Sequence, residues 1–270
     1  MTETPPLLEK SGPAPSKAPS RWGQNVFVGL IAALQFLTIA PPMIRRSFTP
    51  QEMGRAVGFF PLVGLMLGGL LFGLDELLRL LWPSDTSAAL VVLAWVLLTG
   101  ALHMDGFLDT CDGLFGGHTP EDRLRIMKDT RVGAFAVVGG VFLLLIKYLA
   151  LASVQDRLGA FLLALTLGRW GMVLAIVLFP YARPEGLGRA MKDHAGWREI
   201  ALATLTAGAA CWLAAQELGL LALLTAGIAT WLAARFALTR LPGLTGDVYG
   251  AICEIVEVLV LLLFAARLPV

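Results

Sequence analysis

The stretch AFAVVGGVFLLLIKYLALA, residues 134–152, contains a single charged residue, Lys147. An α-helix needs about 20 predominantly apolar residues to cross the hydrocarbon core of a bilayer. This stretch is close to that length and has no proline to interrupt it. It predicts a membrane-spanning helix in which Lys147 has a structural role.

The same composition extends along the chain. Apolar residues make up 57% of the sequence and charged residues 15%, whereas soluble domains are typically about 45–50% apolar and about 25% charged. Similar apolar runs occur at 56–80, 87–104, 159–179, 199–216, 219–240 and 251–266. We therefore expect an all-α fold, a polytopic integral membrane helical bundle with about seven spans.

The N-terminal part of the chain is expected to differ from these spans. The apolar run from Val26 to Ile44 carries Gln35 and is broken by Pro41 and Pro42, which lack backbone donors. It is predicted to be re-entrant or interfacial. The residues before it are rich in proline and serine and lack the apolar core of a secretory signal. They predict a disordered tail over 1–25, followed by one membrane-embedded catalytic domain over 26–270.

The positions of the charges predict the orientation. Basic residues concentrate in loops 105–133 and 180–198, whereas the loops expected on the other side contain only Arg157. Because cytoplasmic loops are enriched in lysine and arginine, we expect a multi-pass protein of the cell inner membrane with a cytoplasmic active face. The formal net charge is +1, which argues against a nucleic-acid partner. Membrane lipid and small molecules are the expected partners.

An acidic stripe follows the apolar run 87–104. In LHMDGFLDTCDGLFGG, residues 102–117, Asp105, Asp109 and Asp112 are spaced i, i+4 and i+7. This spacing places three carboxylates on one helix face. Ionised carboxylates that are so close repel one another and require a compensating cation. Oxygen ligands favour magnesium or manganese over zinc, so we expect Mg²⁺ to bind at this stripe.

Basic residues follow the stripe within one loop. Lys128, Asp129 and Arg131 close a predicted helix that begins with Thr119 as its N-cap and Pro120 at its first position. Cations next to a metal site suit phosphate-ester transfer, because they neutralise the non-bridging oxygens. Nearer the stripe, only His103 offers a ring nitrogen, and we expect it to bind substrate.

Two other segments are expected on the same side of the membrane. Residues 243–258 carry Asp247, Glu254 and Glu257, and acids within an apolar helix are candidates for a functional site. The loop after residue 182 adds Arg183, which suits a phosphate group. Arg169 lies within a predicted span and therefore needs a polar cavity or an acidic partner.

Six ordered segments resemble the cobalamin synthase family, also called adenosylcobinamide-GDP ribazoletransferases. Besides residues 102–117, they are FLTIAPP at 36–42, GFFPLVGLMLG at 58–68, RIMKDTRVGAF at 125–135, YARPEGLG at 181–188 and LTGDVYGAICEIVE at 244–257. The resemblance covers nearly the whole chain.

The resemblance implies a magnesium-dependent transferase of the last steps of vitamin B12 biosynthesis. Such enzymes transfer the phosphocobinamide group of adenosylcobinamide-GDP to α-ribazole or its 5′-phosphate, which yields adenosylcobalamin or its phosphate and GMP. It assigns metal and diphosphate binding to Asp105, Asp109 and Asp112. Substrate binding falls to His103, Lys128, Arg131, Arg183 and Glu254, and the general base to Asp129, Asp247 or Glu257, which remain unranked.

Other classes of protein share some of these features. A CDP-alcohol phosphatidyltransferase also breaks a diphosphate with aspartates on membrane helices, but this segment lacks that family's Ala-Arg pair and its later paired aspartates. A prenyltransferase would usually have two separated acidic motifs. A cation transporter would spread its acids through the depth of the membrane, whereas here they are expected to cluster at one face.

Overall fold

The computed structural model describes residues 26–266, and the predicted disordered tail over 1–25 lies outside them. The described part of the chain is helical apart from loops and one isolated β-bridge, Tyr181 to Leu244. Its helices are α1 (Val26–Leu37), α2 (Pro50–Val57), α3 (Phe60–Arg79), α4 (Ser84–Leu98), α5 (Leu102–Gly116), α6 (Pro120–Ile126), α7 (Ala134–Ser153), α8 (Arg157–Leu178), α9 (Leu187–His194), α10 (Trp197–Leu238) and α11 (Gly246–Ala265).

The all-α membrane bundle predicted from the sequence is confirmed. Within residues 26–266, the five helices α3, α7, α8, α10 and α11 are long and apolar enough to cross a membrane. The pair α4 and α5 adds a sixth if it counts as one broken span. These five or six helices correspond to the seven predicted apolar runs, because two of the runs fall within α10 and the run 87–104 is divided between α4 and α5.

The predicted span 87–104 is wrong as a continuous helix. Helix α4 ends at Leu98, and α5 leaves it at an angle of 89°. Gly100 and Ala101 both have positive φ, and the Ala101 amide donates back to the Val96 carbonyl at 2.9 Å. This pattern is typical of a glycine-terminated helix end. The acidic stripe therefore lies on a separate helix, α5.

The predicted spans 199–216 and 219–240 both fall within α10, whose backbone leaves helical geometry at Gln216 (φ 45°, ψ −116°). A side chain at Gly219 would collide with the backbone carbonyl of Cys211. In a continuous helix these two residues would be about 12 Å apart. The chain therefore folds back at Gln216, and the two predicted spans correspond to the two arms of α10.

The segment from Val26 to Ile44 also folds back. Helix α1 has 12 residues, which span only about 18 Å. The Gln35 side chain then accepts from the Ile44 amide at 2.9 Å and donates to its carbonyl at 3.2 Å. This arrangement agrees with the predicted re-entrant or interfacial segment.

Helix α8 forms the centre of the bundle and packs against α3, α10 and α11. Gly64 and Gly68 of α3 lie against the backbone of α8 at Leu165 and Phe161, because small residues let membrane helices approach closely. At one end of the packed helices α3 and α8, Arg157 donates to the buried carboxylate of Asp75. The candidate site lies toward the other end of α8.

Candidate active site

The crossing of α5 and α11 assembles the site. A Cβ at Gly106 would lie 2.8 Å from the Asp247 carbonyl oxygen, and one at Gly250 would lie 3.0 Å from the His103 carbonyl oxygen. Only glycine leaves room for so close an approach. The backbone of α11 therefore approaches Gly106 closely, and this approach brings the acidic stripe to Asp247 at the start of α11.

The open acidic cluster consists of Asp105, Asp109 and Asp247, with Arg183 as its basic member. Arg183 donates to the Asp247 carboxylate at 2.6 Å, and the Thr245 hydroxyl donates to the same oxygen at 3.2 Å. Asp105 is exposed and Asp109 half-buried, and the charges of Asp105, Asp247 and Arg183 all act on Asp109. One cation faces three carboxylates, so the cluster retains an excess of negative charge that favours a further cation.

The third aspartate of the stripe has a different environment. The Asp112 carboxylate accepts hydrogen bonds from the amides of Gly133 at 2.6 Å and Ala136 at 2.8 Å. Those amides belong to the N-terminus of α7, where a negative charge is stabilising. Asp112 thus caps α7, although the sequence predicts it to be a metal ligand.

The predicted magnesium site is only partly formed by protein ligands. Between residues 26 and 266, no three histidine, cysteine, aspartate or glutamate side chains converge closely enough to hold a metal ion. Asp105 and Asp109 are nevertheless one helical turn apart and carry the oxygen ligands that Mg²⁺ prefers. Such a site suits an ion that takes its remaining ligands from water and substrate phosphates.

A cavity of about 260 Å³ opens beside the acidic cluster. Its polar wall is formed by His103, Asp105, Asp247 and Tyr249. Its apolar wall comes from α1, α5, α8 and α9, with Phe36, Leu102, Met172, Ile176, Leu187 and Met191. A small molecule in this cavity would contact apolar side chains on one side and the acidic cluster on the other.

Two buried polar groups of the cavity wall are unpartnered. His103 is 1% exposed and Tyr249 is 2% exposed. Neither the Nε2 of His103 nor the hydroxyl of Tyr249 has a hydrogen-bond partner within the described part of the chain. Both atoms are enclosed by protein, and because an unpaired buried polar group costs free energy, each would gain from a ligand that reached it and completed its hydrogen bonds.

Glu254 and Glu257 lie away from the cavity, in a buried ion-pair network. Lys147 of α7 donates to both carboxylates at 2.5 Å, and Arg169 of α8 donates to Glu257. The expectation that these two acids open to the cytoplasmic face is therefore wrong. The prediction of an acidic partner for Arg169 is confirmed, and the two cations offset the cost of burying two carboxylates.

The basic segment after α6 is exposed. Arg131 pairs with Asp129 at 2.7 Å, and this hydrogen bonding lowers the pKa of Asp129 to about 2. A carboxylate with so low a pKa is a weak proton acceptor near neutral pH. Asp129, Arg131 and the exposed Lys128 do not line the cavity.

Sequence reasoning identified His103, Asp105 and Asp247 but not Tyr249 or the apolar part of the cavity wall. Tyr249 follows Asp247 by two residues inside a segment that carries the family resemblance, so its position was a usable signal. Its ring stacks on Tyr181, with ring centroids 5.9 Å apart. Met172, Ile176 and Met191, by contrast, resemble any other apolar residue of a helical bundle.

Comparisons with known proteins identify the family to which the chain belongs. The family described as Cobalamin-5-phosphate synthase matches residues 29–265. An adenosylcobinamide-GDP ribazoletransferase from Desulforamulus reducens is 40% identical over 88% of this chain and 96% of its own length. One from Herpetosiphon aurantiacus is 39% identical over the same shares, and one from Pseudomonas fluorescens is 41% identical over 85% and 96%.

No solved structure matches the chain. The family match covers nearly all of the described helices, including α5 and α11, which carry the open acidic cluster. The chain therefore belongs to the cobalamin-5-phosphate synthase family and is a membrane-embedded transferase of cobalamin biosynthesis.

Proposed function

We propose that this enzyme transfers the phosphocobinamide group of adenosylcobinamide-GDP to α-ribazole or α-ribazole 5′-phosphate, and releases GMP. The observation that carries the proposal is the open acidic cluster, where Asp105, Asp109 and Asp247 meet Arg183 beside a cavity. Its excess negative charge suits a metal-bound diphosphate. The names of the relatives supply the two substrates, adenosylcobinamide-GDP and ribazole.

In this reaction a ribose hydroxyl of the acceptor attacks the phosphorus attached to cobinamide. The bond between that phosphorus and the oxygen that bridges the two phosphates breaks, and this oxygen leaves with GMP. Asp105 and Asp109 would hold Mg²⁺ together with oxygens of the donor diphosphate. When bound, the ion neutralises charge that develops on the departing phosphate. We assign Arg183 to a non-bridging oxygen of the diphosphate, and the exposed Lys128 and Arg131 to the attraction of that diphosphate.

Among the three candidate general bases, the structure favours Asp247. It lines the cavity and retains partial exposure, with 19% of its side chain accessible. Glu257 is fully buried and is saturated by Lys147 and Arg169. Asp129 lies outside the cavity and is paired with Arg131. Because a general base must reach the hydroxyl that it deprotonates, we assign this role to Asp247, which lines the cavity.

We further propose that the protein resides in the cell inner membrane with this site on the cytoplasmic side. The loops that lead into the site, 117–133 and 179–196, carry most of the basic loop residues. At the opposite end, Arg157 is buried against Asp75. This distribution fits the enrichment of cytoplasmic loops in lysine and arginine.

The test is a reconstituted reaction. Purified protein in nanodiscs is incubated with Mg²⁺, adenosylcobinamide-GDP and α-ribazole, and GMP and the cobalamin product are measured by chromatography. We expect both products in equal amounts, and neither product when EDTA replaces Mg²⁺. A folded protein that forms neither product with all components present would exclude the proposed function.

A further inference from the structure

We propose that the cavity of about 260 Å³ beside the open acidic cluster is the subsite for the acceptor nucleoside, with its flat base on the apolar wall and its ribose on His103 and Tyr249. This inference rests on the proposed function. It specifies which of the two substrates the cavity takes and which atoms orient it.

The size of the cavity separates the two substrates. Its volume of about 260 Å³ is just below the range of roughly 300–1,000 Å³ that is usual for ligand pockets. A corrin ring with its side chains and a nucleotide loop is far larger than such a cavity. A single nucleoside with a bicyclic base is of suitable size, so the corrin part of adenosylcobinamide-GDP must bind outside the cavity.

The chemistry of the apolar wall fits a flat, apolar ring. Met172 and Ile176 come from α8, Met191 and Leu187 from α9, and Phe36 from α1. Methionine side chains adapt to irregular gaps and make favourable sulfur contacts with aromatic rings. A benzimidazole-type base, with few polar atoms on its edge, would bury its surface here without leaving hydrogen-bonding groups unpaired.

The polar wall offers two donors to the ribose. The Arg169 guanidinium lies 3.3 Å from the His103 Nδ1, and a guanidinium can only donate. The Nδ1 must therefore accept, and the ring proton lies on Nε2. The Nε2–H and the Tyr249 hydroxyl have no partner among residues 26–266 and almost no accessible surface, so we expect them to donate to ribose oxygens once the bound acceptor shifts the cavity wall.

The buried ion-pair network orients His103. Glu257 binds Arg169, and Arg169 in turn holds the Nδ1 of His103. Arg169 is fully buried, so its position is fixed by packing as well as by charge. Glu257 and Arg169 are thus positioning residues that act through His103, and His103 itself contacts the substrate. With the ribose held there, a hydroxyl lies next to Asp105 and Asp247, which share the cavity wall.

The first test measures binding without turnover. Equilibrium dialysis with radiolabelled α-ribazole, and separately with adenosylcobinamide-GDP, is carried out on protein in nanodiscs. Leu187→Trp adds bulk on the apolar wall, and the matched control Leu232→Trp makes the same change at a site that faces away from the cavity. We expect Leu187→Trp to weaken α-ribazole binding at least about tenfold, with donor binding unchanged, and Leu232→Trp to change neither.

The second test addresses the two hydrogen-bond donors, His103 and Tyr249. Tyr249→Phe removes one hydroxyl and is expected to weaken α-ribazole binding about 2- to 10-fold. His103→Asn retains an acceptor near the Nδ1 position but loses the donor at Nε2, whereas His103→Gln can place an amide N–H near the Nε2 position. We therefore expect His103→Gln to bind α-ribazole more tightly than His103→Asn. An equal loss of α-ribazole binding in both variants, with the binding of adenosylcobinamide-GDP retained, would overturn the role of the Nε2–H.

The outcomes separate this inference from the proposed function. If Leu187→Trp weakens binding of the donor, or leaves α-ribazole binding unchanged, the cavity is not the acceptor subsite, although wild-type turnover still supports the proposed function. If the wild-type protein binds neither substrate and forms no GMP, the proposed function fails, and this inference fails with it.

Discussion

Helix α11 carries two kinds of acidic residue, and their difference defines the site. Asp247, at its start, has Arg183 as its cation and shares its surroundings with Asp105 and Asp109. Glu254 and Glu257, two to three turns further on, are both bound by Lys147, and Glu257 also by Arg169. The first group retains uncompensated charge and is accessible, whereas the second is neutralised and buried.

This difference shows that an acidic residue in an apolar helix indicates a functional site only when neighbouring cations do not neutralise it. The deep network balances two carboxylates with two cations, so removing one partner leaves a buried charge. The open acidic cluster has three carboxylates and one cation, so removing one carboxylate relieves repulsion. Substitutions in the deep network should therefore affect mainly stability, and substitutions in the open acidic cluster should affect mainly turnover.

The largest effect is expected from Lys147→Met. The change leaves Glu254 without its cation, and breaking a buried pair in this way typically costs about 3–5 kcal/mol of unfolding free energy. Denaturant titration in detergent micelles would measure it. The double variant Lys147→Met/Glu254→Gln removes one charge of each sign and should recover much of the loss. Wild-type stability of the single variant would refute the structural role of the network.

Asp109→Asn is expected to act on turnover instead. Loss of one carboxylate from the open acidic cluster should lower kcat at least about 100-fold, an amount typical of a lost charge-stabilising group. Stability should be unchanged or higher, because a repulsive charge is gone. Rates of GMP formation and thermal unfolding curves would measure the two effects.

Glu121→Gln is the matched control for Asp109→Asn. It makes the same chemical change on the exposed first turn of α6 and should retain wild-type turnover. If both variants lose activity equally, general charge rather than the open acidic cluster is responsible. If Asp109→Asn instead lowers stability by several kcal/mol, Asp109 belongs with the buried acids.

A smaller effect is expected from Asp112→Ala, which removes the acceptor for the amides of Gly133 and Ala136. Loss of such a cap typically costs about 0.5–2 kcal/mol of stability. Asp112→Asn should cost less, because an amide oxygen still accepts from the backbone. Both would be measured by thermal unfolding. A loss of turnover in Asp112→Asn as large as that in Asp109→Asn would return Asp112 to the metal site.

The smallest effect is expected from Asp129→Asn. Arg131 lowers the pKa of Asp129 to about 2, so its stabilising effect is present above its unfolded pKa of about 3.9 and fades as the pH falls toward 2. Turnover at neutral pH should change by no more than about twofold, as is usual for surface substitutions. The acidic limb of the pH–rate profile should not move, and a shifted limb would make Asp129 the general base.

The sequence supports much of this account, because apolar run length and charge position are local properties. Thr119 and Pro120 begin α6 and Gly117 follows the end of α5, as their residue types predict. The break after Leu98 was missed because Gly100 lies within an otherwise apolar run, where a single glycine is weak evidence for a helix end.

The sequence could not predict in the same way which acidic residues remain open, which cap a helix and which are buried in ion pairs. Asp112 receives its amides from residues 21 and 24 positions away, and Lys147 lies 107 and 110 positions from Glu254 and Glu257. Such contacts depend on which helices pack together, which residue spacing along one helix does not determine. The close crossing at Gly106 and Gly250 is of the same kind.

The most direct test of the central claim is manganese binding followed by electron paramagnetic resonance. Protein in nanodiscs is titrated with Mn²⁺, as a substitute for Mg²⁺, in the presence of adenosylcobinamide-GDP and the absence of an acceptor. We predict a bound-Mn²⁺ signal in the wild type and in Asp112→Asn, and its loss in Asp105→Asn and Asp109→Asn. Wild-type Mn²⁺ affinity in Asp109→Asn would contradict the assignment of metal-dependent chemistry to the open acidic cluster.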